Sequence, residues 1–360
     1  VFPVGDGPAT VQFVTGPVVQ EARQVFSDWV AQTVRLWAGS PYVDFEWTVG
    51  PIPFADDLGR EVVARYTTPW ATNGTWWTDS NGRDSMIRLR NKRLSWNVTI
   101  TEPVAANYYP VNAFITTADT VSGAVMSVMV DRSEGGSSMA DGQVELMVHR
   151  RLQYDDNRGV GEPLNETGLD GNGLIVRGTH RLTIDGAGSA GVARRTALND
   201  LMFRPLPLFT PLPSTVPAWL AGATPTLSGL SAPLPPNVIL LTAHAWGPNN
   251  LLLRLAHAYE VGEDAVLSRN VTVNLASLFS TFTITAATEM TLTANQPLAS
   301  APVTTYVTDE GTTATLPIVP PPPAGAGLAV TLTPMTIRTF QCTTTTPTTA
   351  AAVPGVVATA

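Results

Sequence analysis

Apolar and polar residues alternate with a period of two wherever the chain shows a clear pattern, and that period predicts strands. In the clearest run, Val43, Phe45, Trp47 and Val49 alternate with Asp44, Glu46 and Thr48, as in a half-buried strand with one polar face. The same reading predicts strands over Val11–Val14, Ala124–Val130, Val144–Val148, Leu174–Arg177, Val238–Ala245 and Leu251–Tyr259. Further runs fall at Val271–Leu275, Phe282–Thr285, Glu289–Leu292 and Val330–Phe340. No window of helix length carries a convincing stripe. Pro17–Val34 comes nearest, but its Val, Thr and Gln share no clean face. Turn pairs punctuate the strands at Asp6-Gly7, Asn73-Gly74, Asn81-Gly82, Asp141-Gly142, Asp170-Gly171 and Asp185-Gly186. Many short strands divided this way predict an all-β chain built of sandwich layers.

Between about Gly186 and Asn237 the text becomes PLPLFTPLPSTVPAWL and then APLPPN, too rich in proline for central strands. The expected organisation is a large β-sandwich (a super-sandwich) over 1–236, with a proline-rich linker at about 186–236. A small C-terminal β-sandwich follows at 237–342, and a low-complexity tail occupies 343–360.

Composition narrows the function classes. The 360 residues are 44% hydrophobic, enough for a large core, but only 14% charged, with a net charge of −8. An acidic, charge-poor chain excludes nucleic acid as the expected partner, because phosphates need basic patches. No apolar run is long enough to span a bilayer, so no membrane partner is expected. The sequence opens on Val1 with nothing leader-like before Gly5, which predicts a start at a processing cut or an artificial boundary. Cys342 is alone, so an intrachain disulfide and a cysteine-based zinc site are both excluded, and a buried or terminal thiol is the reading. Asn73, Asn97, Asn165 and Asn270 each begin an N-x-T acceptor sequence for glycosylation. Lys92 is the only lysine, and Val303–Gly327 and the tail are built largely from Thr, Ala, Pro, Val and Gly.

Candidate chemistry is sparse. His149, His180, His244 and His257 show no metal-ligand spacing and sit beside apolar strand text, which predicts structural histidines and no metal ligand in this chain. No nucleophile elbow, Walker loop or dinucleotide fingerprint occurs. Glu134-Gly135-Gly136-Ser137-Ser138 reads as a surface turn. Trp70, Trp76, Trp77, Tyr108 and Tyr109 could form a sugar platform, although core packing accounts for them better. The Tyr154–Pro163 loop differs from the rest. Asp155 and Asp156 are adjacent and point apart in extended backbone, so they are poorly placed as an acid/base pair. One of them is expected to anchor Arg150, Arg151 or Arg158, and the other to hold backbone N–H groups. Arg158, followed by Gly159, would then present its donor fork to a hydroxyl-rich ligand. On physics alone this is a β-sandwich module with a possible sugar-binding loop, or an ion-paired structural loop.

Several long motifs add a resemblance: FEWTVGPIP (Phe45–Pro53), TDSNGRD (Thr78–Asp84), TEPVAANYYPVN (Thr101–Asn112), DRSEGGSS (Asp131–Ser138) and DDNRGVGEPLNET (Asp155–Thr167). With LLLRLAHAYEVGED and TLTPMTIRTF further on, the chain resembles the C-terminal half of acidic, lysosomal or vacuolar α-mannosidases of glycoside hydrolase family 38. The resemblance implies a retaining exo-α-mannosidase that removes terminal α-linked mannose from N-glycans, using two carboxylates and a zinc ion. The family's nucleophile and zinc-ligand motifs have no counterpart here, so Zn2+ is expected in a partner N-terminal catalytic chain of the same precursor and none in this chain. It also implies that Arg158 contacts substrate while Asp155, Asp156 and Asn157 shape its loop, that such pairs assemble further, and that the compartment is the vacuole or lysosome, or the exterior. The alternative is a stand-alone β-sandwich carbohydrate-binding module.

Overall fold

The computed structural model describes residues 4–345 apart from 6, 213, 224–225, 303 and 316–327. Its contacts divide the chain into two units, Val1–Pro205 and Leu206–Ala360. The first opens with β1 (Thr10–Thr15), β2 (Val19–Ser27), β3 (Val30–Trp37), β4 (Val43–Val49) and β5 (Arg60–Thr67). It continues through β6 (Thr75–Asp79), β7 (Ser85–Leu89), β8 (Tyr109–Val111), β9 (Phe114–Ala118) and β10 (Ala124–Val130). Then come β11 (Glu134–Ser137), β12 (Gln143–Arg151), β13 (Val176–Gly186) and a helix, α1 (Ala190–Met202).

Nine strands form one sheet in the order β1-β2-β3-β4-β13-β10-β9-β6-β7, and four form another, β5-β12-β11-β8. Alternation works as the sequence reading expects. Tyr66 of β5, Val144 and Leu146 of β12, Ile115 of β9, and Met126, Val128 and Val130 of β10 close a core between the sheets. The run that opened the sequence reading supplies a second pocket of core, where Trp47, Val49 and Ile52 meet Val62. Gly178 lies opposite Trp47 in the register, and a Cβ there would sit 2.1 Å from the indole, so only glycine fits.

Two expectations for this unit are corrected. Residues 134–137, expected as a surface turn, are β11 of the inner layer. Gly136 serves close packing, since a Cβ there would lie 2.5 Å from the Val111 side chain of the neighbouring β8 and 3.2 Å from Ile115 of the facing sheet. The second correction is α1, where no helical stripe was read. Ala190, Arg194, Arg195, Ala197, Leu198 and Leu201 are buried at helical spacing, so the stripe exists but two of its members are arginines. The Arg194 guanidinium lies 4.4 Å above the Phe114 ring, and the helix covers Phe114 and Met129 on the outer face of the large sheet.

Buried polar groups are paired within and between these layers. Arg181 of β13 holds Asp44 of β4 through two bonds of 2.7 and 3.0 Å and donates to the Ala197 carbonyl of α1. Asp79 accepts the backbone N–H groups of Asn112, Ala113 and Phe114 at 2.8, 2.8 and 3.1 Å, fixing the start of β9. His180 is fully buried between the Tyr66 hydroxyl at 2.9 Å and the Glu134 carboxylate at 2.9 Å. Burial, reinforced by the Glu134 charge, pushes the Tyr66 phenol well up, so it stays a neutral donor.

In the second unit a short helix, α2 (Val216–Gly222), precedes β14 (Val238–Ala245), β15 (Asn250–His257), β16 (Val271–Asn274) and β17 (Thr283–Met290). Next are β18 (Thr305–Val307), β19 (Thr313–Thr315), β20 (Ala329–Leu332) and β21 (Ile337–Thr345). The sheet β14-β15-β21-β17 packs Leu253, Leu255, Phe340 and Cys342 against Val273, Val330 and Leu332 of the β16-β20 pair. Cys342 is thus a core residue, and burial pushes its thiol up to about 12. The expected tail starts too early, because β21 runs through Thr345; the rest of it, 346–360, lies outside the described residues. Phe282–Thr285 and Glu289–Leu292, read as two strands, merge into β17.

Two measurements check this account. His180→Ala would strand the Tyr66 hydroxyl and the Glu134 carboxylate in the core and leave a void. It is expected to cost about 3–5 kcal/mol in denaturant unfolding. The second concerns acid. Asp119 is held below the ordinary carboxylate range by the Ser122 hydroxyl and N–H groups, Asp264 by the N–H groups of Leu267 and Val266, and Asp170 by Asn172. Groups lowered in this way stabilise the fold fully above the unfolded value of about 3.9 and lose that contribution as pH falls through the folded values. Their share of stability is therefore expected to be constant from neutral pH to about 4.5 and to disappear below about 3.9, with Asp119→Asn flattening the acid limb of an unfolding-versus-pH curve.

Candidate functional site

The loop between β12 and β13 is built from its base outward. Arg151, the last residue of β12, donates Nε to Asn165 Oδ1 at 3.1 Å and a terminal nitrogen to the Ile52 carbonyl at 3.0 Å. Its guanidinium also lies 4.1 Å above the Phe54 ring, and a Cβ at Gly173 would meet it at 2.5 Å. One side chain therefore ties both legs of the loop to the segment leading into β5. The Leu152 N–H donates to the Leu164 carbonyl at 2.9 Å, and Gln153 Nε2 donates to the Phe54 carbonyl at 2.9 Å, completing the clamp.

Above this base the chain makes two successive Asx turns. Asp155 Oδ2 accepts the Asn157 N–H at 2.8 Å, and Asp156 Oδ1 accepts the Arg158 N–H at 3.0 Å. Asn157 sits in the left-handed region at φ 57°, and the glycines at 159 and 161 also take positive φ, at 146° and 73°. Both carboxylates thus hold backbone. The expectation that one would anchor an arginine is corrected: Arg150 pairs with Glu61 at 2.7 Å, and Arg151 is held as described.

Arg158 stands exposed at the tip, and among the described residues its guanidinium has no hydrogen-bond, ionic or ring partner. Asn157 and Asp156 flank it, also exposed, while Asp155 is half-buried. The tip offers a planar set of N–H donors beside carboxylate and amide acceptors, which matches neutral hydroxyls better than an anion. The two described cavities, of about 240 and 370 Å³, are lined by residues 16–20 with 36–40 and by residues 133–135 with 147–150, not by the tip.

The other sequence candidates lie elsewhere. Trp76 is fully buried with its ring edge-on to Tyr109 at 6.0 Å, and the Tyr108 hydroxyl donates to Glu145 at 2.6 Å, so these aromatics pack the core. His257 is buried on the Arg269 carbonyl, His149 lies 3.1 Å from the Leu174 carbonyl, and His244 is exposed. Among the described residues no group of three or more His, Cys, Asp or Glu could hold a metal ion, so their donor set does not fit zinc. Asn73, Asn97 and Asn270 are exposed, whereas Asn165 is half-buried with its Oδ1 engaged by Arg151. Sequence reasoning missed this clamp. Its one visible trace is an arginine that ends an alternating strand.

A sandwich unit matches the Glycosyl hydrolases family 38 C-terminal domain over residues 3–158, and the second unit matches the family's C-terminal beta sandwich domain over residues 237–340. The chain belongs to glycoside hydrolase family 38, in the C-terminal region of that family. More particularly, it is similar to the lysosomal alpha-mannosidases of Homo sapiens, 46% identical over 92% of this chain, and Bos taurus, also 46% identical. It is 41% identical over 80% of its length to an alpha-mannosidase of Arabidopsis thaliana. The chain spans about a third of these relatives' length, 32% for the human protein. A crystal structure of an alpha-mannosidase from Enterococcus faecalis shares the fold, with a TM-score of 0.57 over 92% of this chain at 14% identity.

The clamp makes a testable demand. Arg151→Ala should leave the strands intact and speed amide exchange across 152–164 by about 10-fold or more, because the tip then hangs from its strand ends. Unchanged exchange there would show that the backbone turns alone hold the loop.

Proposed function

We propose that this chain is the C-terminal part of a zinc-dependent, retaining exo-α-mannosidase that removes terminal α-linked mannose from N-glycans. Its role is to deliver the Asp155–Arg158 loop to the substrate pocket of an N-terminal catalytic part. The carrying observation is the tip itself: an unpartnered guanidinium on a loop whose carboxylates and neighbouring arginine are all committed to holding it still. Rigid presentation of an unused donor has no purpose inside this chain, and it falls within the stretch that matches the family's C-terminal domain. The relatives' names give an alpha-mannosidase, lysosomal in the mammalian proteins, and on this reading the chain works in the lysosome or vacuole, or outside the cell.

On this reading the nucleophile, the acid and the zinc ion all belong to the N-terminal part; for the metal, no group of three or more His, Cys, Asp or Glu among the described residues could hold it. Arg158 acts as a substrate-binding residue that donates to mannose hydroxyls, with Asp156 and Asn157 beside it as acceptor and donor. Asp155 shapes the turn. Asn73, Asn97 and Asn270, each exposed, are available to carry glycans, and Asn165 offers only its amide nitrogen.

Substitution in the full-length enzyme tests this. One lost hydrogen bond to a neutral hydroxyl costs about 1–3 kcal/mol, so Arg158→Ala should lower kcat/KM for an aryl α-mannoside by roughly 5–150-fold. Zinc content and association of the parts should not change. Full activity would make the loop structural, and loss of association would place Arg158 in an interface. The chain by itself should hydrolyse no α-mannoside.

A further inference from the structure

The two layers of the first unit do not match in width. Nine strands face four, and the outermost strand of the narrow layer, β5, sits above β4: Val62 packs on Trp47 and Val49, and the Tyr66 ring meets Phe45 edge-on at 5.0 Å. Nothing in the four-stranded sheet reaches beyond it. Val30 at the start of β3 still packs on that core, and beyond it β3, β2 and β1 continue the inner face of the large sheet into the open.

The register shows what that strip carries. Phe13, Ala22 and Val34 lie in one row with the core residue Phe45, and Val11, Gln24 and Gln32 lie in one row with Trp47. Directly paired residues project to the same side of a sheet, so this row is the sandwich interior prolonged. On that face Phe13 is 77% exposed, Leu36, paired with Gln20 and Val43, 47% and Val11 42%, with Gln20, Gln24 and Gln32 between them. The opposite face carries an ion-paired ladder, Glu21 bonded to both Arg23 and Arg35 and Arg35 paired in turn with Glu46, with Val25 and Trp37 also exposed there. The exposed phenylalanine therefore lies on the side that prolongs the sandwich interior.

The neighbouring edge is also unfinished. Among the described residues no strand pairs with the outer side of β5, which is eight residues long with no proline or lysine to block pairing. A free hydrogen-bonding edge directly beside an uncovered apolar face fits one kind of partner: further strands with alternating apolar side chains.

We propose that the narrow layer is completed by strands from outside this chain, which pair with the free edge of β5 and cover β1, β2 and β3. The source is the remaining two thirds of the longer protein, since this chain spans only 32% of a relative such as the human one. A second copy of this chain would fit less well, because its own β5 edge would bring no apolar face for Phe13 and Leu36 in the same register. The inference rests on reading the chain as part of a longer α-mannosidase but is independent of any role for Arg158.

The experiment uses the full-length protein. Phe13 is replaced by photoreactive p-benzoylphenylalanine, and the cross-linked peptides are sequenced; amide exchange is followed in parallel over β5. The expected cross-link joins position 13 to a peptide outside residues 1–360. All β5 amides should be protected, whereas a free edge leaves about half of them pointing at water. A cross-link to a second copy, a cross-link within 206–345, or rapid exchange at every other β5 amide would overturn the proposal. Phe13→Asp adds a readout: amide exchange across β1–β3 should rise about 10-fold or more if the face is covered, and its staying unchanged would count against burial. Each of these results is obtained without an activity assay, so an Arg158 variant that kept full activity would refute the substrate contact and leave this inference standing.

Discussion

A sheet of nine strands has two faces, and every apolar side chain on either face must find cover. That constraint organises the first unit. β10 is buried on both sides: Met126, Val128 and Val130 point into the sandwich, while Met129 points out toward α1. A two-layer sandwich would leave Met129 and Phe114 in water. The helix exists to prevent that, and the Arg181 bond to the Ala197 carbonyl fastens it to the strand beneath. Hydrophobic cover is worth about 25 cal/mol per Å², so an uncovered Phe or Met is a substantial liability in a fold whose net stability is small.

The polar interior follows from the same layering. Where strands of different layers approach, a side chain from one must satisfy groups on the other. The Tyr66–His180–Glu134 chain does this across the two sheets, and within the large sheet Asp79 satisfies three consecutive N–H groups at the start of β9. These groups carry no substrate. They set register and angle, which in turn fixes where the strand ends, and hence the loops between them, emerge.

Much of this was legible in the sequence because period-two alternation survives wherever one face is wet or the core is plainly apolar. Val43–Val49, Ala124–Val130 and Val238–Ala245 were read with boundaries that match β4, β10 and β14. Reading failed where burial was achieved by other means. In α1 two alanines and two arginines join two leucines in the buried stripe, so hydrophobicity shows little contrast, although the spacing is regular. In β11 Gly136 stands where a Cβ would clash with Val111 and Gly135 where one would press on Tyr108, and glycine reads as a turn. The loop was recognisable by its composition and by resemblance. Its clamp was not, because Arg151 reaches Ile52 and Phe54 some hundred positions earlier, and no local pattern encodes a contact between such distant segments.

The division of labour among charges explains why Arg158 stands out. Arginines in this chain are mostly spent: on Glu21, Asp44, Asp56, Glu145 and Glu289, on backbone carbonyls, or on aromatic faces. Lys92 is the sole lysine, so the surface relies on guanidinium groups, which lose less freedom per hydrogen bond than a lysine does. Against that background, the tip devotes two carboxylates to backbone turns and leaves its arginine unpaired among the described residues. An Asx turn does not by itself forbid an ion pair, since Asp56 closes one on the Leu58 N–H and still holds Arg60. At the tip the same turn forms on the Arg158 N–H without the second contact, so the two loops share a backbone device and differ in whether the nearby guanidinium is used inside the chain.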